Sequence, residues 1–138
     1  MGFVTPIGIM AFWPIIPFLK AGMGVGQSIL AAQVLVGMVL LLPVFWAAYS
    51  RFNNALTYLF GASVMILVLA LVHGQSDQLV SISMHYNRWA WGAAYVAIVL
   101  AVLPPVTSQN AMFDGIALGL AMAFLLLCKV TYFIAFAM

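Results

Sequence analysis

Long apolar runs with almost no charged side chains constrain this chain more than any other feature of its sequence. Residues 29–49 contain no charged residue at all. Charged residues make up 4% of the whole chain and hydrophobic residues 67%, whereas a soluble domain carries roughly a quarter charged residues. We therefore expect an integral membrane protein that contacts the lipid bilayer, in a bacterial inner membrane or an equivalent energy-transducing membrane.

Five apolar segments are candidates for membrane spans, since a crossing helix needs about 20 apolar residues. They lie at residues 3–19, 29–49, 55–72, 86–103 and 112–138. Proline interrupts helical hydrogen bonds, so the first segment, with Pro6, Pro14 and Pro17, is either a bent short crossing or a re-entrant segment. The sequence predicts one all-α domain over residues 1–138, a bundle of four or five transmembrane helices with one polar loop.

The polar loop runs from His73 to Arg88 and contains Asp77. Within it, "QLVSISMHY" alternates between two sets of side chains, which predicts a short extended or interfacial piece lying on the membrane. With five crossings, Lys20 and Arg88 share one side and Arg51 lies on the other. That distribution of positive charge is too even to assign an orientation.

Several function classes find no support in this sequence. The formal net charge is only +2 and no basic stripe is present, so nucleic acid is not an expected partner. A nucleophilic triad, paired catalytic carboxylates and a phosphate loop are missing, which weakens an enzymatic interpretation. No cofactor or metal is predicted, because metal sites need more ligands than His73, His85 and Asp77 supply; a haem or pigment held by the two histidines stays an open alternative.

Polar residues inside or beside apolar helices are the candidate contacts to a ligand or partner. His85, Asn87 and Arg88 adjoin one another in "SMHYNRWAWGAAY", and Gln33 lies within an apolar run. An interfacial anchor explains aromatic and cationic residues at a helix end. It does not require His85 and Asn87, so a polar headgroup, a quinone-like molecule or a pigment is the alternative.

Lys129 is the most unusual residue, because an intramembrane cation is costly and needs a partner. In a continuous helix over residues 112–138 it lies beyond the bilayer midplane, about 40° around the helix from Gly115. It is either a snorkelling lysine in a tilted helix or an internal cation. Since neither Asp77 nor Asp114 readily reaches it, the internal cation would pair with an anion from another subunit or a lipid.

Two rows of small residues at four-residue spacing predict close helix packing. One consists of Gly115, Gly119 and Ala123, and the other of Ala93, Ala97 and Ala101. Such rows serve contacts within a chain as readily as contacts between subunits.

Aromatic residues and one arginine near helix ends are the predicted interfacial anchors, as expected at the headgroup level of a bilayer. They are Trp46, Tyr49, Arg51, Tyr86, Trp89 and Trp91.

Two stretches, "MHYNRWAWGAAYVAIVLAVLPP" and "DGIALGLAMAFLLLCKVTYF", are similar to parts of multi-pass membrane proteins of the O-antigen ligase or polymerase type. Those families carry polar residues at the ends of apolar helices, but no motif here assigns a functional residue. Because such enzymes are much longer, the resemblance implies a fragment or a shortened relative.

These patterns favour a small accessory or structural subunit of a larger membrane complex, packed through its small-residue helix faces or self-associated. The alternative is a small membrane carrier or lipid-linked glycan-handling protein. In that protein Gln33, His85, Asn87, Arg88 and Lys129 would converge on a cavity.

Overall fold

Helices make up nearly all of the regular structure. A computed structural model describes residues 8–70, 82–106 and 110–137, and within these ranges no strand occurs. The predicted all-α class is therefore confirmed for the described chain. After two 3-10 turns, Ile9–Ala11 and Trp13–Ile15, the helices are α1 Ile16–Lys20, α2 Val25–Arg51, α3 Asn54–Leu69, α4 Ile82–Val102, α5 Ala111–Cys128 and α6 Val130–Ala137.

Two of the described helices, α2 and α5, are long and apolar enough to cross a membrane by length and composition. The helix α3 is apolar but shorter, and so is the broken segment Ile9–Lys20. Residues 82–85, predicted to be extended, form the first turn of α4. Alternation over so few residues does not distinguish a strand from a helix turn. His73 and Asp77 lie outside the described residues.

Asparagine side chains begin two of the helices. The side chain of Asn53 accepts a hydrogen bond from the backbone N–H of Leu56 at the start of α3, and Asn110 does the same for Phe113 at the start of α5. Such N-caps satisfy backbone donors that a helix leaves unpaired. Only Phe52 and Asn53 separate α2 from α3, and the two helices pack as an antiparallel hairpin.

The helix α4 lies at the centre of the bundle. It packs against α2, α3 and α5, whereas α2 and α5 contact each other only briefly. Its buried side includes Trp89, Ala93 and Ala97, and their four-residue spacing places them on one face. The facing stripe of α5 consists of Ala117, Ala121, Leu125 and Cys128.

The N-terminal segment is joined to the end of α5. The backbone N–H of Gly8 donates to the carbonyl of Cys128 at 3.0 Å, and a Cβ at position 8 would overlap the carbonyl of Leu127. Glycine thus permits this close backbone approach. Lys20 lies just before α2, whose beginning is at the same end of the bundle as Cys128, so Gly8 and Lys20 lie near the same end.

Candidate functional site

The five residues predicted to contact a ligand or partner lie near one end of the bundle, but they form two groups. The first, the buried group, consists of Gln33, His85 and Arg88. Gln33 Nε2 donates to the carbonyls of Val68 and Ala70 at 2.9 and 3.2 Å, and Arg88 Nη1 donates to the carbonyl of Ala70. The end of α3 is thereby held between α2 and α4.

Two members of the buried group are sealed inside the bundle, whereas Arg88 is half-buried. Gln33 is 2% exposed and His85 1%, and Trp89, one turn beyond His85 on α4, is also fully buried. Gln33 Oε1 and Trp89 Nε1 make no hydrogen bond within the described part of the chain. A buried polar atom without a partner costs about 1 to 3 kcal/mol, so this layer is one place in the described core where polar contacts are incomplete; the surroundings of Arg51 are another.

The second group, the Lys129 cluster, consists of Lys129, Asn87, Tyr86 and Tyr132. Lys129 Nζ donates to Asn87 Oδ1 at 3.3 Å and lies 5.9 Å from the ring centre of Tyr86 and 5.1 Å from that of Tyr132. Cations within about 6 Å of an aromatic ring are attracted by its electron-rich face. The cluster therefore holds an ammonium group with neutral partners.

The backbone explains how Lys129 reaches these partners. Lys129 has extended dihedral angles, φ −160° and ψ 108°, and separates α5 from α6. The predicted continuous helix over residues 112–138 is thus wrong at this point, and so is the placement of Lys129 on the side of Gly115. The Cys128 carbonyl accepts from Gly8 instead of from a later helical residue, so the break leaves this acceptor satisfied.

At the opposite end of α5, Asp114 is the centre of a polar contact that was not predicted from the sequence. Arg51 Nη2 donates to Asp114 Oδ2 at 2.7 Å, and Trp46 Nε1 donates to Asp114 Oδ1 at 2.8 Å. The Arg51 side chain is only 5% exposed. The sequence did contain a signal for this contact, because the predicted consecutive crossings place the end of α2 and the start of α5 on the same side.

The predicted interfacial anchors differ in how far they are buried. Arg51, Tyr86 and Trp89 are buried, because each is covered by neighbouring helices of this chain, and their role as interfacial anchors stays a prediction. Trp46 is half-buried against Phe113. Tyr49 and Trp91 are exposed, although Trp91 Nε1 also donates to the Tyr132 hydroxyl at 2.8 Å.

The two small-residue rows have different surroundings. Ala93 and Ala97 are buried, whereas Ala101 is exposed. Gly115, Gly119 and Ala123 are exposed too, and a Cβ added to either glycine would meet no atom within 4 Å. The row of Gly115, Gly119 and Ala123 therefore does not mediate packing within the described chain.

An apolar groove of about 990 Å³ separates α2 from α5. Phe113, Leu120 and Leu127 form part of its α5 wall, Val39 and Trp46 part of its α2 wall, and Trp13 borders it as well. The groove exists because α4 holds the two helices apart except near Asp114.

The described residues contain no group of three or more histidines, cysteines or acidic residues that could hold a metal ion. His85 is buried in α4, and its proposed haem partner His73 lies outside the described ranges. No family model matches the chain, and no curated protein and no solved structure matches it either.

Proposed function

We propose that this chain is a small integral membrane subunit that packs against another membrane chain through the outer face of α5. We define that face as Gly115, Gly119 and Ala123. The observation that carries the proposal is the open space around both glycines, where an added Cβ meets nothing. Small residues in this arrangement allow two helix backbones to approach closely.

The exposure of α5 supports a location in lipid. Only 22% of its apolar 18-residue window is buried inside the chain. Its exposed side chains include Met112, Ile116 and Leu120, and a soluble monomer rarely presents such a large contiguous apolar patch. Lipid or another membrane chain is the surrounding that stabilises this surface.

Four crossings, formed by α2 to α5, fit this location. At 1.5 Å per residue, α2 is about 40 Å long, α4 about 31 Å, α5 about 27 Å and α3 about 24 Å. The hydrocarbon core of a bilayer is about 30 Å thick. The segment Ile9–Lys20 would then lie on one side of the bundle without crossing it.

The test is recovery of the tagged full chain from gently solubilised membranes of its own host, followed by native mass spectrometry. We expect a stoichiometric complex with at least one further membrane chain. Leucine at both positions 115 and 119 should abolish that complex while the chain stays folded in the membrane. Ala62→Leu, at an exposed alanine of α3, is the matched control and should leave the complex intact. A wild-type chain recovered alone, or a complex that tolerates both leucines, would overturn the proposal.

The groove between α2 and α5 favours a second candidate, a protein that binds the hydrocarbon chain of a lipid or of a lipid-linked glycan. Its volume, about 990 Å³, is at the upper end of the range of ligand sites, which are mostly apolar. The resemblance to O-antigen ligases and polymerases agrees with such a ligand. Recovery of the chain alone with a co-purified polyprenyl lipid would support this candidate.

A further inference from the structure

We infer that the Lys129 cluster binds the headgroup phosphate of a phospholipid with a net negative charge. The inference rests on the membrane location proposed above, but it does not depend on the partner chain. It concerns the end of α5 opposite to Asp114.

The first argument is charge. The partners of Lys129 are the neutral side chains of Asn87, Tyr86 and Tyr132. The acidic residue within the described ranges is Asp114, and it pairs with Arg51 at the other end of α5. The described part of the chain therefore supplies no carboxylate to Lys129, and a half-buried ammonium in such a place is stabilised by an anion.

The second argument is the set of hydrogen-bond donors. An ammonium group has three N–H donors, and the contact with Asn87 Oδ1 uses one of them. Asn87 accepts that bond through its oxygen, which leaves its amide N–H groups as donors. The Tyr132 oxygen accepts from Trp91, so the hydroxyl hydrogen of Tyr132 is a donor as well. One cation with neutral donors around it matches the acceptor oxygens of a phosphate.

The third argument is depth. The 18 residues of α5 before Lys129 make a helix about 27 Å long, close to the thickness of the hydrocarbon core of about 30 Å. When α5 crosses the bilayer, Lys129 lies at the level of the headgroups. The rings of Tyr86, Trp91 and Tyr132 lie near it, and aromatic residues are enriched at that level. Phospholipid phosphates are the abundant anions at this depth.

The structural alternative is that Lys129 only packs on the two tyrosine rings. Two variants separate the alternatives. Tyr132→Phe keeps the ring below the ammonium but removes the hydroxyl donor, so it weakens phosphate binding without removing the cation-π contact. Lys129→Arg keeps the charge, and we expect it to retain phosphate binding because guanidinium also binds phosphate well.

The experiment measures lipid adducts on the purified full chain by native mass spectrometry, after titration with phosphatidylglycerol or phosphatidylcholine. We expect the wild type to retain phosphatidylglycerol about tenfold more tightly than phosphatidylcholine, as a single charge-assisted interaction can provide. Lys129→Met should lose this preference, and Tyr132→Phe should reduce it about threefold. Lys20→Met, at an exposed lysine of the same bundle end, is the matched control and should leave it unchanged.

A parallel titration with inorganic phosphate identifies the source of the group. Competition by millimolar phosphate for the lipid would support the site and show that the phosphate itself is recognised. Equal binding of both lipids by the wild type, or a preference that survives Lys129→Met, would overturn the inference. Failure of the chain to stay in alkali-washed membranes would instead contradict the proposed membrane location, so the two failures are distinguishable.

Discussion

Arg51 at the end of α2 and Asp114 in the first turn of α5 form an ion pair with 2.7 Å between Nη2 and Oδ2, in which Arg51 is buried and Asp114 half-buried. The pair joins two helices that otherwise contact each other little. Arg51 Nε and Nη1 have no hydrogen-bond partner within the described residues. Asp114 is thus the group that offsets the charge of a guanidinium shielded from solvent.

Replacing Asp114 by Asn should destabilise the fold strongly. Removal of one member of a buried pair leaves an uncompensated charge and typically costs 3 to 5 kcal/mol, so we expect a loss of about 3 kcal/mol. Denaturant unfolding of the full chain in micelles measures it. The double variant Arg51→Met with Asp114→Leu removes both charges and should recover most of that loss. A single-variant loss below about 0.5 kcal/mol would show that the pair is not effectively buried.

Trp46→Phe should lower stability by about 1 kcal/mol, because it removes the 2.8 Å hydrogen bond to Asp114 while it keeps a ring against Phe113. The comparison variant is Trp91→Phe, which removes an exposed hydrogen bond to Tyr132. We expect its effect to be smaller in the same unfolding measurement. Equal effects would mean that burial does not strengthen the contact with Asp114.

Two helical glycines should respond in opposite ways to alanine. At Gly92 the new Cβ would lie 2.7 Å from Val68 Cγ2 and 3.2 Å from Leu40 Cδ1, and such overpacking costs about 1 to 3 kcal/mol. At Gly119 it meets nothing, so the better helix propensity of alanine should stabilise the isolated chain by up to about 1 kcal/mol. Thermal unfolding of both alanine variants tests these two expectations. A lower unfolding temperature for Gly119→Ala would contradict the open face of α5.

Gln33→Leu should destabilise the contact between α2 and the end of α3. It removes the donor to the carbonyls of Val68 and Ala70, and buried groups that lose their partners cost about 1 to 3 kcal/mol. Gln27→Leu, at an exposed position of the same helix, is the control and should have little effect on the unfolding midpoint. If both variants behave alike, the hydrogen bonds of Gln33 do not stabilise the hairpin.

Single cysteines should report the crossing of α2 and the return of the chain to the same side after α3 and α4. In a Cys128→Ala background, cysteine at Lys20 should react with an impermeant thiol reagent from one side of sealed vesicles. Cysteines at Asn53 and Val106 should react from the other side, because the Val106 N–H donates to the Ser50 carbonyl at the end of α2. Labelling of all three from one side would exclude the proposed arrangement.

The helices were largely predictable, because long apolar runs bounded by polar residues are themselves the signal. The run at residues 29–49 corresponds to α2 and the run at 55–72 corresponds to α3, with ends that differ by a few residues. The break at Lys129 was not predictable in this way. It depends on Gly8 as a donor to Cys128 and on the contact of Lys129 with Asn87, both of which join residues distant in the sequence.

The candidate site, too, could be predicted from the sequence only in part. The sequence singled out Lys129 and Asn87 separately, because polar residues are rare in this chain, but it contained no information on their pairing. It identified the row of Gly115 and Gly119, yet Ala117 and Ala121 form a second small row on the same helix. The structure buries the second row against α4 and leaves the first open.

The sequence by itself therefore determined an apolar, helical chain and the few polar residues at which chemistry can occur, since composition and local hydrogen bonding act within single segments. The tertiary structure alone decided which face of each helix is covered, that Arg51 pairs with Asp114, and that the helix breaks at Lys129, whose side chain donates to Asn87. Those outcomes depend on how helices pack side by side, and side-chain shape and backbone approach between distant segments control that packing.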